Sequence, residues 1–260
     1  MLNLTRTTAV AQNVFLEVIR DRILYIAMLF AVFIVLATVV LAEVAGGSDN
    51  KILLDLGLAT INILTLVVVI FVGTGLVNKE IVKKTVLVLI AKPVSRFEII
   101  VGKHLGLSAV IGVLMLVQTG IFIVVLTVGG MEFPAGSMLI AIAFMYLEML
   151  FMIAVTIVFG VFTSSLLATL LSFGTYFVGH LSTDLLRFSQ LTESDGFRKT
   201  VETMYLILPN LERLNLKNEA IYGATLLPEP GVLGMSALYS LIYTALLLVI
   251  AGNIFTRRQF

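Results

Sequence analysis

Residues 138–181 read MLIAIAFMYLEMLFMIAVTIVFGVFTSSLLATLLSFGTYFVGHL. Met138 to Phe162 is predominantly apolar, and after Thr163, Ser164 and Ser165 the chain turns apolar again from Leu166 to Leu181. A helix that crosses a bilayer needs about 20 such residues. The stretch therefore reads as two spans whose join is so tight that they form a helical hairpin or one interrupted stretch. Only helices and closed barrels satisfy their backbone groups in lipid. A barrel would show alternating segments of roughly ten residues, which these runs are not.

Four more stretches qualify on either side: 23–42, 56–77, 105–128 and 232–255. The whole chain of 260 residues is 59% hydrophobic and 13% charged. Average soluble domains carry about 25% charged residues, and this much apolar surface needs lipid as its solvent. The expected fold class is an all-α integral membrane protein, a single transmembrane domain over 1–260 built as a six-helix bundle. Without cysteine there is no disulfide, iron–sulfur or thiol chemistry. A net charge of +1 gives no electrostatic case for nucleic acid. The opening MLNLTRTTAVAQNVFLEVIRDR is too long and too charged for the head of a cleaved signal peptide, so the first span is expected to be retained.

Basic residues orient the bundle. With the N-terminus inside, Arg6, Arg20, Arg22, Lys79, Lys83, Lys84, Lys92, Arg96, Lys103, Arg257 and Arg258 all fall on the cytoplasmic side. Only Glu17, Asp21, Glu80 and Glu98 oppose them there. Such a bias marks the cytoplasmic face, and an even number of spans puts both termini on it. Before the first span, Leu4, Ala11, Phe15 and Val18 share one helical face, while Arg6, Asn13, Glu17 and Arg20 share the opposite one. Residues 1–22 thus describe either an amphipathic helix on the inner membrane surface or a helical extension of the first span. The outer stretch 182–231 carries two segments of helical periodicity, DLLRFSQL and FRKTVETMYLIL, and then Pro209, Pro228 and Pro230. It reads as short helices packed on the outer mouth of the bundle.

Catalytic motifs are missing from this sequence. GTGLVNKE at Gly73 and VGKHLG at Val101 both fail the phosphate-binding loop pattern, and there is neither HExxH nor GxSxG. No metal site is expected, because His104 and His180 fall at opposite ends of spans. Glu148 is the one acidic residue inside a span. It is either a pathway or proton-relay residue, or a packing glutamate bonded to Tyr146, Gln118 or a neighbouring hydroxyl. Ser164, Ala168 and Ser172 form a stripe of small residues at helical spacing, and Gly102 and Gly106 repeat that spacing. Close helix approach explains both, within the chain or at a subunit interface lining a pathway.

The remaining cytoplasmic loop, 78–104, contains NKEIVKKTVLVLIAKPVSRFEIIVGK from Asn78 to Lys103. Ser95 followed by Glu98 is a helix-start signature. The loop resembles that of ABC-2 type permeases, the membrane subunits of type V ABC exporters. Glu80, Thr85, Leu87, Leu89, Pro93, Ser95, Arg96, Gly102 and Lys103 fit the family's pattern, and Lys84 stands where glycine is usual. The resemblance implies a transport subunit in the cell (inner) membrane with no catalytic residue of its own. ATP and Mg would then belong to a separate ABC ATPase subunit. A second permease copy would pair with the first, and the loop residues Glu80, Lys83, Lys84, Thr85, Pro93, Ser95, Arg96 and Lys103 would couple to the ATPase. Two other readings stand beside it. One is a proton-coupled secondary carrier using Glu148. The other is a non-transporting scaffold that relays ATPase motion to a periplasmic partner.

Overall fold

The helix that begins at Arg96 starts where its sequence says it should. Ser95 accepts a hydrogen bond from the Glu98 backbone N–H, and the Glu98 carboxylate accepts the Ser95 N–H at 2.7 Å, a complete capping box. The other end of the same helix is closed by Gly129-Gly130. Gly130 takes φ 65°, and the Gly130 and Met131 amides bond back to Thr127 and Leu126. That arrangement satisfies the last carbonyls and needs a residue free to adopt a left-handed conformation. This computed structural model describes residues 3–21, 24–44, 49–82, 95–190 and 195–257, and the structural statements below concern those.

The described chain is helical: α1 Leu4–Arg20, α2 Leu24–Val44, α3 Asp49–Val82, α4 Arg96–Val128, α5 Ala135–Phe162, α6 Ser165–Gln190, α7 Asp195–Ile207, α8 Lys217–Ala220 and α9 Pro230–Arg257, with 3-10 turns at Glu212–Leu214 and Ala224–Leu226. Lys51–Leu76 of α3 and all of α4, α5, α6 and α9 are each long and apolar enough to cross a membrane. α1 and α2 meet at a bend of 52° and together make a sixth candidate. Large apolar side chains such as Leu116, Leu166 and Met235 stand exposed along these helices, a surface suited to lipid.

α5 is the central helix. Its side chains are buried on several faces, against α3, α4, α6 and α9, which is why its sequence is apolar all round. Thr163 breaks it in extended conformation, and Ser164 accepts the Ala168 amide to start α6, so the 163–164 turn closes a tight helical hairpin. α6 runs on to Gln190, well past the expected end of the span at Leu181. DLLRFSQ, residues 184–190, is its continuation and not a separate outer helix. The outer elements then fold back onto the bundle. Leu211, Leu214, Leu216 and Ala220 are buried, Ser137 of α5 donates to the Ala220 carbonyl at 2.7 Å, and the Leu211 amide bonds to Gly179 of α6.

α1 divides into three arcs. Thr7, Val14 and Val18 are buried against α4, Leu4 and Leu16 are exposed and apolar, and Arg6, Glu17 and Arg20 lie on the third side. The buried arc is rotated from the expected one, since Leu4 points away from the protein. Its position follows from α4, where Gly102 and Gly106 leave room for the α1 backbone. A Cβ on Gly106 would stand 2.5 Å from the Ala11 carbonyl oxygen, and one on Gly102 would stand 3.0 Å from that of Thr7. A helix with one face in protein, one apolar and one charged fits a membrane boundary.

Candidate functional site

The first turns of α4 gather three other helices. Glu98 is buried, and its second oxygen accepts the Asn3 N–H at 2.8 Å, which joins the start of α1 to the start of α4. The carboxylate thus answers two donors at a helix N-terminus, where the dipole also favours negative charge. Arg96 donates through Nη1 to the carbonyls of Phe255 at 2.9 Å and Thr256 at 3.0 Å. A guanidinium there satisfies carbonyls at the C-terminus of α9. Phe97 lies over Gly252 of α9, where a Cβ would meet its ring at 2.5 Å. Lys103 is 2% exposed and donates its Nζ to the Leu76 carbonyl of α3 at 2.6 Å. A buried ammonium needs such a partner.

The start of α1 and the end of α9 therefore sit at one end of the bundle, tied to the residues that follow the loop. Replacing Ser95 by alanine removes half of the capping box. The expected loss is about 1 kcal/mol, read as a shift in the denaturation midpoint of the purified chain. The effect should be confined to the α4 start, with amide exchange near Arg96 rising and exchange in α5 unchanged.

The expected loop residues divide accordingly. Ser95 caps α4, while Arg96 and Lys103 turn onto the chain itself. Glu80 belongs to the last turns of α3. Lys83, Lys84, Thr85 and Pro93 lie outside the described residues. Ala168 and Ser172 are buried in the α6 stripe, and Ser164 at the hairpin turn is exposed.

A second polar group lies inside the bundle. Glu148 of α5 is fully buried, and its Oε1 is 2.7 Å from His180 Nε2 on α6. The hairpin creates this contact, because Glu148 and His180 stand at nearly equal distances along its two arms from the 163–164 turn. Asn62 of α3 donates to Glu148 Oε2 at 3.4 Å and accepts from the Tyr176 hydroxyl at 3.2 Å. The other His180 nitrogen, Nδ1, is 3.3 Å from Glu212 Oε2, and Asn215 also donates to Glu212. The bond from His180 holds the Glu212 carboxyl below the usual carboxylate range, and Lys217 nearby acts in the same direction.

Tyr146 and Gln118 are not the partners of Glu148. Tyr146 donates to the Ser108 carbonyl, and Gln118 accepts from Thr65. His104 stands apart from this group, with Nε2 3.0 Å from the Leu150 carbonyl. A carbonyl only accepts, so that nitrogen carries a proton. Asn62, Tyr176, His180 and Glu212 were not readable as one group in sequence. The one signal that could have found His180 was the antiparallel pairing implied by the short turn.

The architecture is that of a multi-pass membrane protein with polar joints at its helix ends and around a buried carboxylate. None of the curated proteins matches the sequence. Residues 8–260 match the family described as ABC-2 family transporter protein, and a match over nearly the entire chain places the protein in that family.

Proposed function

We propose that the chain is the membrane-spanning permease subunit of an ATP-binding cassette exporter of the cytoplasmic (inner) membrane, driven by a separate ATPase subunit. Two copies would pair around the substrate path, with both termini of each on the cytoplasmic side. Residues 78–104 would form the coupling loop, from Glu80 through Lys83, Lys84, Thr85 and Pro93 to Ser95. ATP and Mg would be held by the partner, since this sequence has no phosphate-binding loop of its own.

One observation carries the reading. The chain segment that leaves the loop enters α4 through two turns that between them are bonded to α1, α3 and α9. A displacement of the loop by a partner is therefore passed to four helices, through Glu98, Arg96 and Lys103, before it dissipates in a flexible side chain. The charge bias of the same end supports placing it in the cytoplasm, and family membership supports the ATPase partner.

The test is purification with native partners followed by ATP hydrolysis in liposomes. An ATPase subunit should accompany the chain. Arg96→Gln should leave that association intact while reducing transport-coupled hydrolysis several-fold, because it removes the guanidinium bonds from α4 to the end of α9. A native complex without an ATPase subunit would overturn the proposal.

A further inference from the structure

The geometry points to a proton relay in which His180 connects the buried carboxylate of Glu148 to Glu212 and to water on the membrane side opposite the chain termini. Exposure rises along the chain of groups. Glu148 is 0% exposed, the His180 side chain 16% and the Glu212 side chain 43%. Each nitrogen of the imidazole faces a different carboxylate, at 2.7 Å toward the interior and 3.3 Å toward the surface. Ionised carboxylates only accept hydrogen bonds. The ring therefore bonds to both at once only when both of its nitrogens carry protons.

The exchange balances as follows. With Glu148 and Glu212 ionised and His180 neutral, Nε2 carries the ring proton toward Glu148. A proton from water binds Glu212 and moves to Nδ1, which leaves Glu212 ionised and His180 an imidazolium. The Nε2 proton then passes to Glu148 Oε1, the N–H bond breaking as the O–H bond forms. Glu148 ends neutral and His180 keeps its proton on Nδ1. Unloading runs back along the same atoms. The net change is one proton taken from water and bound at Glu148, with no other reactant.

The surroundings define the route. α3 contributes the uncharged Asn62, which donates to Glu148, and α6 contributes Tyr176, whose ring packs edge-on to His180 at 4.5 Å between centroids. The 3-10 turn contributes Glu212, and α8 contributes Lys217, whose charge acts on both His180 and Glu212. Arg213, next to Glu212 in sequence, lies over the Tyr239 ring of α9. The α5 residues flanking Glu148 that are buried with it include Met145, Met149 and Met152, which carry no proton. Among the described residues, His180 is thus the titratable group bonded to Glu148, and it opens to the distal end.

The chain contains only two histidines, so nitrogen-15 NMR of histidine-labelled protein in liposomes gives two imidazoles, assigned with His180→Gln. Protease protection of the termini identifies the two sides. His180 should show the doubly protonated ring at neutral pH, and Glu148→Gln should reduce that form. Its exchange should follow a pH change imposed on the side opposite the termini, and Glu212→Gln should slow that exchange several-fold. Glu212 is surface-placed, so this variant keeps the bundle folded if Glu148→Gln does not. An imidazole that is singly protonated and indifferent to both variants, or that follows the pH on the terminal side, would overturn the relay. Equal exchange in Glu212→Gln and the wild type would reduce the group to a static ion pair and overturn it as well. The readout requires no ATPase, so its result is independent of the exporter assignment.

Discussion

Gly106→Leu is expected to destabilise the chain by about 3 kcal/mol and to detach α1 from α4. The reason is the identity of the obstructing atom. A Cβ at this position would meet the Ala11 carbonyl oxygen at 2.5 Å and Val14 Cβ at 2.8 Å. A backbone carbonyl has no rotamer to escape into, so the whole helix must move. Detachment then pulls on Asn3, whose amide is held by Glu98, and loosens the start of α4. Gly120→Leu is the control within the same helix, because nothing lies within 4 Å of its added Cβ. Leucine there is expected to be neutral, or to stabilise by up to about 1 kcal/mol through helix propensity. Unfolding in mixed micelles gives the stability difference. Spin labels at Ala9 and Leu105, both exposed, report the separation of α1 from α4, which should increase only in Gly106→Leu. Two variants with the same behaviour would mean that α1 does not rest on this pair of glycines.

That pair also shows what the sequence could and could not convey. The spacing of Gly102 and Gly106 indicated a close helix approach, but a stripe of small residues does not name its partner. The partner was α1, and the arc of α1 that docks was fixed by the groove and not by the helix's own hydrophobic pattern, which would have turned Leu4 inward. Long apolar runs and the Ser95–Glu98 signature were legible because each depends on neighbouring residues alone. Arg96 and Lys103 were legible as charges near a loop, but not as donors to carbonyls of α9 and α3, because a basic side chain at a membrane boundary can equally point to water. His180 was read as the end of a span. α6 continues past Leu181 to Gln190, and this places His180 within a helix, opposite Glu148. A pairing across a hairpin depends on where the turn falls and how far both arms run, neither of which is local information.

The same pairing predicts an asymmetry between two substitutions. His180→Leu leaves a carboxylate at zero exposure with Asn62 at 3.4 Å as its remaining hydrogen-bond partner among the described residues. Removing one member of a buried ion pair typically costs several kcal/mol, because the other charge stays behind without compensation. The expected loss is about 3 kcal/mol. Glu148→Leu strands a different kind of group. His180 keeps Glu212 and partial access to water, so its polar atoms are still served, and leucine fills most of the vacated volume. About 1 kcal/mol is expected for the Asn62 amide, which loses its acceptor. The double variant removes the charge and its partner together, so its loss should fall well below the sum of the two, with a coupling of about 2 kcal/mol in a double-mutant cycle. The cycle is measured by unfolding of the purified chain in mixed micelles. Equal single losses that simply add would mean that the imidazole and the carboxylate are neighbours without an energetic bond, and Glu148 would then need another source for its place in the interior.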